Sequence, residues 1–374
     1  MTTTLTVTAR SDLRDGSGAN THFCFNPSVY SVGSSPNAHI VQALVDLKVG
    51  YIRERWWPKN PAQQAAFVTL TNAGIGLYVF IGDKTYTTAQ VQSDVAALAA
   101  SPFASALIAV CGPNEPNSGG GSTWPAAVVA VQQAIYTEVN KYAVFDHTAI
   151  VGPALMHNVR DIDADYRALA AAGVGRWCDA GDFHFYPGNA GPSGNAAEAQ
   201  RAGQAYGGLS LWHSETGWTG ADTDPGTAGR FSVEALLRNH LSGIVGTMLY
   251  GFADESQYVP GREGLFGLMT ATAPKPAYSE IQALMKSPDG TQAFHGRLAS
   301  LAKNVESDTG AVVTSDGGNT WTVYLLRETQ TATTLVIPQQ FSADCGSFTL
   351  GSGGNRRYSV TLTESMTVVH VQQP

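Results

Sequence analysis

The sequence predicts an α/β chain in which a (β/α)8 (TIM) barrel is followed by a small C-terminal antiparallel β-sandwich. Three observations carry this expectation. From about Asn20 to Lys286 the chain repeats a short apolar run, a Gly/Pro/Asn loop, an amphipathic stretch and a glycine, as parallel strands alternating with covering helices do. Eight such apolar runs occur, and a barrel of this kind takes about 250 residues. Beyond residue 288 the texture changes to alternating Thr, Val and Ser, the period-two pattern of antiparallel strands.

The barrel strands are expected at residues 21–25, 51–55, 76–81, 106–111, 148–151, 182–185, 209–213 and 247–250. Ser35-Pro36 opens the first helix with a capping residue and a proline, Ile40, Leu44 and Leu47 share one face, and Gly50 ends it. Asn60-Pro61 and Gly74 repeat the device around the second helix. The run from Ile75 to Ile81 is then apolar apart from Gly76 and the Tyr78 hydroxyl, like parallel strands covered on both faces. Thr123-Trp124-Pro125 begins a further helix that runs to Lys141. A doubly wound open sheet is the main rival, but it would call for a Gly-rich phosphate loop after the first strand, and none follows. In the tail, strands are expected at 310–314, 320–326, 333–337, 347–350, 357–362 and 366–371, with Asp316-Gly317-Gly318-Asn319 as a turn. Residues 3–9 alternate as well. The expected division is therefore 1–12 as a strand joining the sandwich, 20–288 as the barrel and 289–374 as the accessory β-domain.

Composition narrows the partners. Of 374 residues 43% are apolar and only 14% charged, against roughly 25% charged in ordinary globular chains. The surface must then be rich in neutral hydroxyl and amide groups, which suits an extracellular or glycan-facing protein. A net charge of −8 with no Lys/Arg cluster opposes binding to phosphate backbones, so no nucleic-acid partner is expected. Cys24, Cys111, Cys178 and Cys345 show no CxxC spacing and no His pair accompanies them, which implies neither a disulfide framework nor a metal centre. Cys24 and Cys111 lie in apolar runs and read as buried free thiols. The first ten residues lack the basic region and apolar core of a signal peptide, and no apolar run reaches membrane-spanning length. The expectation is a soluble monomer without cofactor or membrane partner, acting outside the cell after loss of a leader or release by another route.

Two segments carry chemistry. Cys111-Gly112-Pro113-Asn114-Glu115-Pro116-Asn117 and Leu211-Trp212-His213-Ser214-Glu215-Thr216-Gly217-Trp218 each put a glutamate just beyond a strand-like run. On the strand count, Glu115 follows strand four and Glu215 strand seven. The separation of 215 − 115 = 100 residues equals three barrel repeats of roughly 30 residues. Cleaving a glycosidic bond needs one carboxyl group to protonate the leaving oxygen and another to attack the sugar carbon or activate water. Alone, Glu115 could equally serve the N-terminus of the next helix, and Glu215 could be a solvated loop residue; the pair at matching strand ends outweighs either. Asn114 could bind a sugar hydroxyl beside the bond, while His213 and Ser214 are placed to keep Glu215 ionised. Trp56, Trp57 and Trp218 follow strand ends and could stack on pyranose faces, with Trp57 and Trp218 singled out by their loop positions.

Asn114-Glu115-Pro116, the Glu215 segment three strands later and His184-Phe185-Tyr186 after the sixth strand resemble the clan A glycoside hydrolases, retaining barrel enzymes that include family 5 cellulases and family 39 and 51 glycosidases. The resemblance covers residues 20–288, and the tail resembles the accessory β-domain of family 39 and its relatives. It implies Glu115 as general acid/base, Glu215 as nucleophile, Asn114 on the sugar next to the scissile bond, Tyr186 hydrogen-bonded to the nucleophile and His184 lining the subsite. It also implies an arginine on strand two steadying Glu215; Arg53 fits best, although Arg55 shares its face. Many clan members end strand eight with a tryptophan platform, where this chain offers Tyr250 or Phe252. The implied activity is retaining hydrolysis, endo-acting on a polysaccharide, with an exo-acting xylosidase or arabinofuranosidase, or a glycan-binding barrel without catalysis, as alternatives. Retention demands carboxyl groups about 5–5.5 Å apart, and an optimum on the acidic side of neutral is expected.

Overall fold

The computed structural model describes residues 2–4, 13–22, 24–25, 38–118, 123–157, 161–254, 261–270, 272–285, 302–304, 310–315, 320–326, 332–337, 342–344, 348–350, 356–361 and 366–372. The expected helix start at Ser35-Pro36, the alternation of residues 5–9, the turn at residues 316–319 and Cys345 lie outside the described residues. Two compact units emerge, one of residues 15–282 and one that combines residues 1–14 with 283–374.

After β1 (Thr2–Thr4), which belongs to the second unit, the chain builds an eight-stranded parallel sheet from β2 (Ser17–Asn20), β3 (Tyr51–Arg55), β4 (Gly76–Phe80), β5 (Leu107–Cys111), β6 (Ala149–Val151), β7 (Gly181–His184), β8 (Leu211–Thr216) and β9 (Gly246–Leu249). Neighbours follow sequence order and β9 returns to β2. A parallel bridge between Val151 and Ala180 joins β6 to the start of β7 and closes the barrel. The helices are α1 (Ala38–Leu47), α2 (Pro61–Asn72), α3 (Thr88–Ala99), α4 (Trp124–Val139), α5 (Ile162–Ala171), α6 (Asn195–Ala205), α7 (Pro225–Leu241) and α8 (Pro276–Met285).

Local chemistry sets their ends. The Asn60 side chain accepts from the N–H groups of Ala62 and Gln63, Pro61 occupies the first turn of α2, and Gly74 follows with a φ of 77°, the left-handed conformation that glycine adopts without strain. Thr87 and Gln90 cap α3 reciprocally. Asp161 and Asp224 cap α5 and α7.

The first barrel strand is Ser17–Asn20, not residues 21–25 as the sequence suggested. Gly18 pairs with Tyr51, and a side chain on Gly18 would lie 2.2 Å from the Tyr51 ring. The strand must therefore be built from small residues, which carry no β-like signature. Thr21, His22, Cys24 and Phe25 follow it outside the strand, with the Cys24 N–H donating to the Thr21 carbonyl. The seventh strand runs further than expected, so Glu215 lies on β8 itself. Aromatic, apolar and small side chains from several strands pack together in the barrel, including Tyr51, Tyr78, Phe80, Cys111, Trp212 and Met248. The Trp212 ring meets Tyr51 and Tyr78 edge-on with centroids 5.4 and 5.3 Å away. This packed floor supports the polar site above it.

The second unit holds two antiparallel sheets. One has the order β1, β10 (Ala302–Asn304), β13 (Ala332–Ile337), β16 (Arg356–Thr361), β15 (Phe348–Leu350); the other β11 (Gly310–Ser315), β12 (Thr320–Leu326), β17 (Met366–Gln372), β14 (Ser342–Ala343). In β17, Val369 and Val371 are buried while Val368 and His370 are exposed, so over this stretch one face of the strand is covered and the other solvated.

Candidate active site

The site occupies the C-terminal ends of the barrel strands, where loops of this architecture carry function. Glu115 follows β5 in the connection that leads to α4 and adopts a φ of 44°, a conformation that costs a non-glycine residue energy unless its surroundings impose it. They do so here. The Glu115 N–H donates to the Ala154 carbonyl at 3.1 Å, and the Ser118 N–H and hydroxyl donate to the Glu115 carbonyl at 3.0 and 2.7 Å. Lys84 Nζ donates to the carbonyls of Pro116 and Ser118 at 3.1 and 2.6 Å. Asn117 ties the same loop to Met156 and Asp165. Residues 119–122 of this loop lie outside the described residues.

Glu215 is held more tightly. Its Oε1 accepts from Arg53 Nη1 at 2.6 Å and Asn20 Nδ2 at 3.2 Å, and its Oε2 from the Tyr186 hydroxyl at 2.7 Å. Arg53 Nη2 also donates to Asn114 Oδ1 at 2.5 Å, so one buried guanidinium fixes the nucleophile candidate and the amide beside the acid candidate. Of the two arginines on one strand face, Arg53 is the one at the site; the Arg55 guanidinium lies over the Trp57 ring, 4.3 Å from its centroid. His184 stands between the carboxylates, with Nδ1 2.8 Å from Glu115 Oε1 and 3.4 Å from Glu215 Oε2. An oxygen of Glu115, one of Glu215 and a nitrogen of His184 all lie within 4.8 Å of one another.

The two carboxyl groups live in different surroundings. Burial works to raise the Glu215 pKa, but the charges of His184, Arg53 and His22 and the Tyr186 hydroxyl overcome it and bring the group down to about 2. Burial likewise works against charge on His184, yet Glu215 and Glu115 carry its pKa above the ordinary imidazole value. His22 is driven the other way, to about 3, chiefly by burial. Glu215 has a side-chain exposure of 5% against 17% for Glu115. Glu115, His184 and Glu215 are spaced closely enough to chelate a divalent cation, but the Arg53 guanidinium already neutralises Glu215 and would repel a second cation.

A cleft of about 360 Å³ exposes the pair, lined by His22, Asn114, Glu115, Met156, His157, Tyr186, Tyr250 and Phe266 among others. Tyr250 packs edge-on against Tyr186 with centroids 5.9 Å apart, whereas Phe252 is fully buried. The tryptophans singled out in the sequence are elsewhere. Trp57 is half-buried beneath Arg55 and does not line the cleft. Trp218 is 4% exposed, donates to the Ala190 carbonyl at 2.8 Å and borders a neighbouring cavity of about 240 Å³. Trp56 is core, packed on Phe67 and Phe103. His213 does not reach Glu215: it stacks on Phe183 at 4.2 Å and meets Asn239 at 2.9 Å. The reason is a register irregularity between His213 and Thr216, which breaks simple alternation and turns both Ser214 and Glu215 toward the site. Asn20, His22, His157 and Phe266 were not foreseen; Asn20 and His22 hid behind the misplaced first strand.

No protein-family model and no curated protein matches the sequence significantly. Solved structures do match in fold. A family 39 glycoside hydrolase from Bacteroides cellulosilyticus WH2 superposes with a TM-score of 0.60 at 13% identity, over 97% of this chain and 82% of that one. Two family 51 arabinofuranosidases, from Bifidobacterium longum and Xanthomonas axonopodis pv. citri, give TM-scores of 0.58 and 0.59 at 10% identity, each over 98% of this chain and over 97% and 98% of their own. The fold of this chain is that of the clan A glycoside hydrolases.

Proposed function

We propose that the chain is a retaining glycoside hydrolase in which Glu215 is the nucleophile and Glu115 the general acid/base. One observation carries the reading: two glutamates at barrel strand ends present oxygens within 4.8 Å of each other. That spacing matches the roughly 5–5.5 Å of retaining enzymes and falls short of the roughly 6.5–9.5 Å that leaves room for a water in inverting ones. Their surroundings divide the labour. Glu215, paired with Arg53 and hydrogen-bonded by Tyr186 and Asn20, stays ionised and attacks the anomeric carbon. Glu115 gives its proton to the leaving oxygen. Once the glycosyl-enzyme forms, Glu215 is a neutral ester, and Glu115 takes a proton from the water that attacks it. Asn114 hydrogen-bonds the sugar beside the scissile bond, and Tyr250 stands where related barrels present a tryptophan.

Endo-cleavage of a polysaccharide outside the cell is the reading we favour, in keeping with the cleft bordered by loops after several strands and the weakly charged composition. The tail then serves as an accessory β-sandwich. Exo action is the second reading, favoured by the near full-length match to two arabinofuranosidases. A panel of polysaccharides and aryl glycosides, assayed for released sugar, tests the function, and product lengths on an oligosaccharide ladder separate endo from exo. Glu115→Gln and Glu215→Gln should each abolish hydrolysis in a folded protein; full activity in either refutes the assignment.

A further inference from the structure

Neither His157 nor the glutamate behind it has a task in the double displacement. His157 follows β6, lines the cleft and is partly exposed. Its Nδ1 is buried and lies 3.2 Å from Glu198 Oε1, an electrostatic contact rather than an aligned hydrogen bond. Phe185 meets the imidazole edge-on, with ring centroids 5.0 Å apart. Glu198, on α6, is buried and is itself held: the Tyr166 hydroxyl from α5 donates to its Oε1 at 3.1 Å and Arg201 Nη1 to its Oε2 at 3.1 Å. Arg201 already supplies a counter-charge to that carboxylate, so the contact serves the imidazole more than the acid. A carboxylate beside Nδ1 favours a proton on that nitrogen, which leaves Nε2 as the ring nitrogen open to a ligand. Among the described residues His157 has no further polar partner.

We infer that His157, positioned by Glu198, recognises the leaving group, and that this leaving group is itself a sugar. The inference rests on the hydrolase reading of the same site. Position decides which half of the substrate His157 meets. Glu215 attacks the anomeric carbon, and its holders Asn20 and Arg53 come from β2 and β3; the leaving oxygen is the one that Glu115 protonates. The chain around His157 is tied to the Glu115 connection. The Glu115 N–H donates to the Ala154 carbonyl at 3.1 Å, and Asn117 exchanges two hydrogen bonds with the Met156 backbone, at 2.8 and 3.0 Å. A group departing from Glu115 therefore faces the connection after β6. A sugar hydroxyl both donates and accepts, so Nε2 finds a partner there with or without a proton of its own. An imidazole fixed by a buried carboxylate and an aromatic edge loses little freedom on binding, which makes its one hydrogen bond selective. A leaving alcohol without ring hydroxyls gives it nothing to bind.

Two compounds isolate this contact: the shortest oligosaccharide of xylose, arabinofuranose or glucose that the wild type cleaves, and the same glycone carried on methanol in place of the leaving sugar. Both leaving alcohols need the proton of Glu115, so a general loss of acid catalysis lowers both rates, whereas lost recognition lowers kcat/KM for the oligosaccharide alone. In His157→Ala the ratio of kcat/KM, oligosaccharide to methyl glycoside, should fall roughly 10-fold, as expected for one hydrogen bond left unmade. His157→Phe keeps the packing on Phe185 without the nitrogen and should lose as much, and it carries the test if His157→Ala does not fold. Glu198→Gln should lower the same ratio, yet lower it no further when added to His157→Ala, because Glu198 acts through His157. Recognition is read without turnover by calorimetric titration of trisaccharides of the same three sugars into Glu215→Gln, where adding His157→Ala should weaken binding by a similar factor. Equal losses on both compounds, or an unchanged ratio, overturns the inference and leaves the hydrolase reading standing. A wild type that cleaves no glycoside, with the loss of trisaccharide affinity still seen, counts against the hydrolase reading alone.

Discussion

Replacing Arg53 by methionine tests the electrostatics on which Glu215 depends. The guanidinium is fully buried, 2.6 Å from Glu215 Oε1. Removing one member of a buried pair strands the other charge, at a cost of about 3–5 kcal/mol. At roughly 2–4 °C of melting temperature per kcal/mol for a domain of this size, the fall should be on the order of 10 °C at neutral pH. The sign of its pH dependence follows from linkage. In the wild type Glu215 has a folded pKa of about 2 against an ordinary 4.5, so its contribution is fully present above pH 4.5 and is lost as pH falls toward 2. In Arg53→Met the folded pKa rises, and the variant loses stability as pH climbs past the carboxylate range. The deficit should therefore be large at pH 7 and small at pH 3, read by scanning calorimetry of both proteins across that range. A deficit independent of pH, or none at pH 7, would refute the claim that Arg53 holds Glu215 ionised.

Tyr186→Phe removes one hydrogen bond to the nucleophile, 2.7 Å long. A bond to a charged group contributes about 1.5–3 kcal/mol, so kcat/KM on an accepted aryl glycoside should fall roughly 10- to 100-fold while the circular dichroism spectrum is unchanged. His213 is buried with its pKa lowered to about 3, chiefly by that burial. A base whose folded pKa lies below its ordinary 6.5 destabilises the fold as pH drops from 6.5 toward 3, because only the unfolded chain then gains the proton. His213→Asn should flatten the decline of melting temperature over that interval, provided its loss of packing on Phe183 shows as a pH-independent offset. An undiminished slope would mean that other groups cause the acid sensitivity.

Much of the barrel was legible because its helices are punctuated. Asn60-Pro61 with Gly74, and Trp124-Pro125, fixed α2 and the start of α4 to within a residue, since caps and prolines act through local backbone chemistry. The central strands β4 and β5 were equally plain, being apolar and bounded by glycine or polar turns. The first strand was not legible. Ser17-Gly18-Ala19-Asn20 is a strand only because Tyr51 and the neighbouring strands need small partners, and that requirement is tertiary. The site followed the same line. Glu115, Glu215, Asn114, His184 and Tyr186 stood at or just beyond strand ends and Arg53 within a strand, and they converge in space. The tryptophans misled, because a loop position in sequence says nothing of burial: Trp218 turns its indole to the Ala190 carbonyl. The irregularity in β8 that aims Ser214 and Glu215 together has no signature in residue type at all.

The most direct test of the account is to trap the intermediate. Incubation with 2-deoxy-2-fluoro glycosyl fluorides of the accepted sugar slows release of the glycosyl-enzyme, and intact mass followed by peptide mapping locates the label. The account predicts one added sugar per chain, on Glu215, with no label on the Glu215→Gln variant. A label on Glu115 or on any other residue, or turnover that inverts the anomeric configuration without an adduct, would contradict it.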